Sequence, residues 1–394
     1  MINIKNKTNC CGCTACMNIC PKKAISMIED KEGFLYPKVD KKKCINCGLC
    51  EKICPIINKQ QENSLKKSLI IRTKNDIQLK NSTSGGFFTP LCNYVLSKNG
   101  LVYGVAFNEE KEVVHTCVSE PERAFIFQGS KYVQSNLNDV FSKIKKDLQN
   151  DIYVLFSGTP CQVEGLLKFL NKKYEKLITV DVICHGTPSP LLWRKYVEYM
   201  ENKYNSKIKA INFRNKTYGY HCGTMFIEFE NGKKYYGSAR TDYMLKPFFS
   251  EISSRPSCYE CKFKSLNHLS DFTIFDCWNP QKNNKVIKDD DKGFTNLIIN
   301  TQNGLNLFDI ISNNYEYYNS DFTKAINLDG IMVEHSAKKN KYREDFLKKL
   351  NEEGIDSAIK TYIPISRKDY LIEKSKKIFY KMGIIRIIKR MKGK

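Results

Sequence analysis

The sequence has no uninterrupted apolar run approaching the roughly 18 residues that a membrane-crossing helix needs, which excludes a transmembrane protein. Its first seven residues carry no apolar core of a secretory signal, and Cys10 follows too soon for one to fit, which predicts a cytoplasmic location. Glycine and proline are modest, at 21 and 12 of 394 residues, so fibrous and low-complexity chains are excluded. Neither G-x-G-x-x-G nor G-x4-G-K-[ST] occurs, which argues against nicotinamide and ATP enzymes of the usual kinds. Acidic residues are scarce beside basic ones, 42 against 64, leaving a net charge of +22. Such a surplus is the footprint of a nucleic acid, a membrane surface or an acidic partner, and a lysine-rich genomic bias produces the same excess. The length suits two or three domains with at least one sizeable core.

What is abundant is cysteine. There are 17, an odd number, so pairing cannot be complete, and in a reducing compartment so many thiols point to metal or catalysis. Nine precede residue 55, and eight of these form two copies of C-x2-C-x2-C-x3-C-P. The copies are Cys10, Cys13, Cys16, Cys20 with Pro21, and Cys44, Cys47, Cys50, Cys54 with Pro55. In this motif three thiolates serve one [4Fe–4S] cluster and the fourth reaches the other cluster. The expected ligand sets therefore cross: Cys10, Cys13, Cys16 and Cys54 for one cluster, and Cys44, Cys47, Cys50 and Cys20 for the second. A zinc ribbon has no use for eight thiols and two prolines in this register. Cys11 lies outside it and reads as a bystander. Residues 1–58 thus resemble a bacterial two-cluster ferredoxin, with short hairpin strands around Gly33, and should not fold without iron.

Residues 59–68 read as a polar linker. Beyond it, residues 69–72 are strand-like, and Ser84-Gly85-Gly86 precedes a helical stretch, an arrangement that suits a phosphate and is also a common turn. Residues 100–107 and 112–118 alternate like paired strands. From residue 151 the pattern runs strand, loop, helix, strand, loop, helix, which implies a parallel βαβ unit with its crevice at the carboxyl ends of the strands. Cys161 and Cys184 each follow one of these strands, and Cys258 and Cys261 add a third C-x2-C pair. Together they supply four thiolates for a third [4Fe–4S] cluster. Competing readings are zinc at these four, substitution of one of them by Cys222 or Cys277, or a thiol nucleophile at Cys161 or Cys184 with His185 as base. Cys92 and Cys117 read as buried and inert. His185 and His221, each beside a cysteine, are the candidate proton donors. Arg214 and Lys216 read either as phosphate contacts or, more readily, as solvated loop residues, and Trp278 either covers a flat cofactor or packs in the core.

The ordered series of motifs resembles the coenzyme F-420 hydrogenase/dehydrogenase beta-subunit family over about residues 1–315. It comprises the twin-cluster segment, Ser84-Gly85-Gly86, residues 129–135, residues 158–162, Cys184-His185-Gly186, residues 256–263 and Asp276-Cys277-Trp278. The resemblance implies an FAD-containing iron–sulfur reductase, with Ser84, Gly85, Gly86, Lys131 and Ser135 as candidate flavin contacts, and favours a third cluster over zinc. Cys277 and Asn279 depart from the residues that relatives carry around the Asp-x-Trp motif.

The tail, residues 367–394, holds 11 Lys and Arg against two acids, and Leu371, Ile378, Met382, Ile385 and Ile388 fall on one helical face. This basic amphipathic helix either lies on an anionic membrane surface or docks its apolar stripe on the protein's own core. Nucleic acid is disfavoured, since no binding motif accompanies the charge.

The expected architecture is α/β (α+β overall). It comprises a ferredoxin domain (1–58), a linker (59–68), two α/β regions (69–150 and 151–315), a peripheral segment (316–366) and the tail. The expected activity passes electrons from reduced ferredoxin or a partner protein through the clusters to FAD and then, as hydride, to a small organic acceptor. That acceptor would be a deazaflavin coenzyme or a sugar-type intermediate of surface-polysaccharide synthesis. The alternative is a non-catalytic electron-transfer subunit.

Overall fold

The computed structural model describes residues 1–59 and 65–382. Ile385 and Ile388, and the centre of the linker, therefore lie outside the described residues. The strands are β1 (Ile25–Glu29), β2 (Leu35–Val39), β3 (Lys67–Thr73), β4 (Leu101–Phe107), β5 (Val113–Val118), β6 (Val154–Gly158), β7 (Leu177–Val182), β8 (Ile208–Asn215), β9 (Thr224–Phe229), β10 (Lys234–Ser238), β11 (Phe272–Cys277), β12 (Phe294–Ile299) and β13 (Tyr315–Asn319). They form the hairpin β1-β2, a three-stranded sheet β10-β9-β8, and an eight-stranded sheet ordered β13-β3-β12-β11-β7-β6-β4-β5.

In the large sheet β4, β6, β7 and β11 are parallel neighbours, while antiparallel strands flank them on both sides. The expected βαβ unit is β6, the helix Pro160–Leu170 and β7, so the fold is α/β. Strands from both sides of the 150/151 division share this one sheet, and β3 begins inside the segment read as linker.

Alternation along β6 explains how both faces are buried. Leu155 joins a core with Leu91, Val95, Phe272 and Phe308, whereas Val154 and Phe156 join Phe141, Val163 and Phe169 on the opposite face. The second core also takes in Cys11, Cys13, Ala15 and Ile53, so the cysteine-rich module packs directly on the sheet's helical layer. Its approach is close enough that a Cβ on Gly165 would stand 2.8 Å from that of Cys13. Polar contacts pin the same junction: Arg343 makes a two-pronged ion pair with Glu32 at 2.6 and 3.0 Å, and Arg194 pairs with Glu29.

Gly165→Val should overpack this contact and lower stability by about 1–3 kcal/mol, read as an earlier thermal unfolding midpoint. An unchanged midpoint would show that the module does not rest there.

Candidate metal and cofactor centre

Four cavities contain most of the chemistry-bearing residues, and the sheet's parallel strands position two of them. The outermost, about 20 Å³, is lined by Cys20, Cys44, Cys47 and Cys50. The next, also about 20 Å³, is lined by Cys10, Cys13, Cys16 and Cys54, with Cys11 beside them. Each cavity thus takes three thiols from one motif copy and one from the other.

A third cavity, about 40 Å³, lies at the carboxyl edge of the parallel strands and is lined by Cys161, Cys184, Cys258 and Cys261. Cys161 sits in the first turn of its helix, which Thr159 and Gln162 close as a capping box. Cys184 follows β7, and Cys258 ends a short 3-10 turn, Pro256–Cys258. Cys11 also borders this cavity, with its thiol beside those of Cys13 and Cys161. Its position outside the motif register concealed that placement between two thiol sets.

The thiols suit a group that supplies positive charge. Burial, reinforced by Cys10 and Cys54, pushes the Cys16 thiol up to about 12. Burial, then Cys161 and Cys258, takes Cys261 to about 12 as well. Burial and the neighbouring Cys258 hold the Cys184 thiol well above its usual range. Packed thiols of this kind ionise together only around cationic centres such as iron.

Arg255 occupies the junction. Its guanidinium is fully buried and donates to the carbonyls of Cys10 and Leu35 and to Oε1 of Gln134, at 2.7, 3.0 and 2.9 Å. It also lies 4.1 Å from the Tyr36 ring centroid. Among the described residues no carboxylate forms an ion pair with it, and the ionisable groups that raise its pKa are Cys10, Tyr36, Cys11 and Cys258.

The fourth cavity, about 810 Å³, shares Thr159, Gln162, Cys184, His185, Gly186 and Thr187 with the third. Its size is that of a site for a large cofactor. Ser84, Gly86, Lys131 and Ser135 all line it. Gly85 does not: its amide donates to Thr295 Oγ1 at 2.8 Å, and a Cβ there would meet the Ile71 carbonyl at 2.3 Å. This glycine serves a close strand contact. Lys131 donates to the carbonyls of Ile126 and Gln128, and burial brings its ammonium down to about 7. Ser135 accepts from Gln162 Nε2 at 3.0 Å. His185 borders both cavities and pairs with Glu251, while His221 pairs with Asp289 at 2.7 Å.

The far wall corrects one sequence reading. Arg214 is not a solvated loop residue but 7 % exposed, held by Asp276 at 3.0 Å and Tyr132 at 3.1 Å, with its guanidinium 4.7 Å from the Trp278 ring. Its Nη2 is buried without a partner on a wall of the large cavity, a donor suited to an anionic group. Trp278 stacks on Tyr220 with ring centroids 4.6 Å apart. Lys216 instead ties three carbonyls together, those of Leu79, Ser84 and Lys292. Cys277 packs in a core with Ile70, Ile287 and Phe294, beside Asp329 of the large cavity's wall.

Twin thiol cavities joined to an α/β sheet suit an iron–sulfur redox protein, and comparison with known proteins supports that class. Residues 9–56 match the 4Fe-4S dicluster domain, and residues 152–324 match the family described as the C terminus of the coenzyme F420 hydrogenase/dehydrogenase beta subunit. Over those residues the chain is similar to that family, whose hydrogenases and dehydrogenases are oxidoreductases. A polyferredoxin-like protein of Methanocaldococcus jannaschii, itself uncharacterized, is 36% identical over 57 residues, 12% of this chain and 34% of the relative. The chain thus spans about a third of the length of the curated relative it matches. Among solved structures, a chain of the F420-reducing [NiFe] hydrogenase complex from Methanosarcina barkeri aligns with a TM-score of 0.46 and 17% identity, covering 77% of this chain and 93% of that one.

Arg255→Gln should make the reduction potential of the adjoining iron–sulfur centres more negative by roughly 50–100 mV, the effect of one charge at about 10 Å and an effective dielectric near 20. Arg255→Lys should restore most of it. A redox titration showing wild-type potentials in the Gln variant would remove the electrostatic role.

Proposed function

We propose that the protein is an iron–sulfur flavoprotein reductase in which electrons cross three [4Fe–4S] clusters to FAD and leave as hydride. The observation that carries this reading is the sequence of shared walls. Cys11 borders both the second and third cavities, and Cys184 borders both the third and the large one. Cys10, Cys13, Cys16 and Cys54 would hold one cluster, Cys20, Cys44, Cys47 and Cys50 another, and Cys161, Cys184, Cys258 and Cys261 the third. A flavin, when bound, supplies the conversion between single electrons and hydride.

The remaining residues position and exclude. Ser84, Gly86 and Ser135 shape one wall, Arg214 offers its free Nη2 to a phosphate or to the substrate, and the stacked Trp278 and Tyr220 form the other wall. Lys131, at about 7, and His185 with Glu251 are placed to hold or pass a proton. Electrons enter where the thiols are most accessible: Cys47 is exposed, and Ile45 beside it presents apolar surface to a ferredoxin or partner protein. The acceptor is a small organic molecule, either a deazaflavin coenzyme or a sugar-type intermediate of surface-polysaccharide synthesis.

Anaerobically purified protein should contain about 12 iron and 12 labile sulfides per chain with one FAD, and Cys258→Ala with Cys261→Ala should remove about four of each. Eight iron with one zinc, or a reconstituted protein that takes up no FAD, would contradict the assignment.

A further inference from the structure

The helix Arg367–Lys381 is attached to the molecule through a mainly polar side, on which Tyr380 also meets the Tyr218 ring edge-on at 5.1 Å. Glu373 accepts from Ser238 Oγ, Asp369 pairs with Arg240 at 3.8 Å, and Lys376 reaches the Cys222 carbonyl at 3.4 Å. On the opposite side Leu371, Ile378 and Met382, spaced by 7 and 4, are 68, 56 and 64 % exposed. For these three described residues, the alternative that the stripe docks on the protein's own core does not hold. The partners of the polar side, Ser238, Arg240 and Cys222, are also wall residues of the large cavity. The apolar face therefore stands about one helix diameter, ~10 Å, from that wall.

We infer that this helix seats the protein on an anionic lipid bilayer, with the wall of the large cavity held at the headgroup level. Charge selects the occupant. Residues 367–394 carry 11 cations and two acids, and the 12 residues after Met382, beyond the described part, add five of those cations and four isoleucines. Apolar side chains flanked by lysine and arginine, on a helix too polar to cross a membrane, are the pattern of an interfacial helix. The inference stands apart from the redox assignment, since the helix contacts do not depend on any cofactor. It implies that a reactant carried in the bilayer has short access to the cavity.

The test is co-sedimentation of the full-length protein with vesicles of phosphatidylcholine alone and of phosphatidylcholine with phosphatidylglycerol, at low and high salt. Wild-type protein should bind the anionic vesicles at least about tenfold better than the neutral ones and be released by salt. The variant Leu371→Ser, Ile378→Ser, Met382→Ser should lose that binding while keeping its thermal midpoint. If that variant aggregates, Lys368→Glu with Lys374→Glu makes the same comparison. Binding that these substitutions leave intact, or its absence in the wild type, overturns the inference. So does a wild-type dimer that the serine variant converts to monomer, because the face would then belong to a second copy.

Discussion

A fully buried guanidinium without a carboxylate partner costs several kcal/mol unless something else supplies the negative charge. Arg255 is such a group, and its surroundings name the compensating charge. Thiols of two separate sets, Cys10 and Cys258, raise its pKa together with Tyr36 and with Cys11 between the sets. Its three donors go to the Cys10 and Leu35 carbonyls and to Gln134, tying the N-terminal module to the α/β sheet. Neutral thiols would leave this cation uncompensated, whereas anionic iron–thiolate centres on either side would satisfy it. Docking of the module and occupancy of its metal sites are in this way one problem, and each supports the other.

The sheet solves the remaining geometric problem. Parallel strands end together, so loops after β6, β7 and β11 meet at one edge without long-range design. Cys161 and Cys184 come from the first two, Asp276 and Trp278 from the end of the third, and the helix after β6 supplies Gln162, which closes its own cap and braces Ser135. A single wall, shared by Cys184, His185 and Thr187, then separates the inner thiol cavity from the large one. Proximity of this kind is what stepwise electron transfer to a flavin needs, and it follows from chain topology more than from any single contact.

Much of this was legible in the sequence, because cluster motifs and strand alternation are local signals. The crossed grouping of the eight N-terminal cysteines follows from spacing alone, and the structure lines them around two cavities in those groups. The gathering of Cys161, Cys184, Cys258 and Cys261 required only the βαβ rule and one further pair. What escaped was set by partners distant in sequence. Arg214 read as a surface cation because Asp276 and Trp278 lie more than 60 residues away, and Gly85 read as a phosphate loop because the constraint on it is the backbone of β3. Cys11 had no motif to announce it. The tail's amphipathic pattern was visible, but which side faces outward depends on polar contacts with β10 and the turn around Cys222.

The proposed order of electron flow makes the inner thiol set the last station before a bound flavin. Anaerobic reduction by a ferredoxin, followed at the flavin absorbance in rapid-mixing experiments, tests it most directly when wild type is compared with Cys258→Ala protein loaded with FAD. The account predicts that flavin reduction slows by orders of magnitude in the variant while the N-terminal centres still reduce at the wild-type rate. Flavin reduction at an undiminished rate in the variant would contradict it, because electrons would then be bypassing the third set of cysteines.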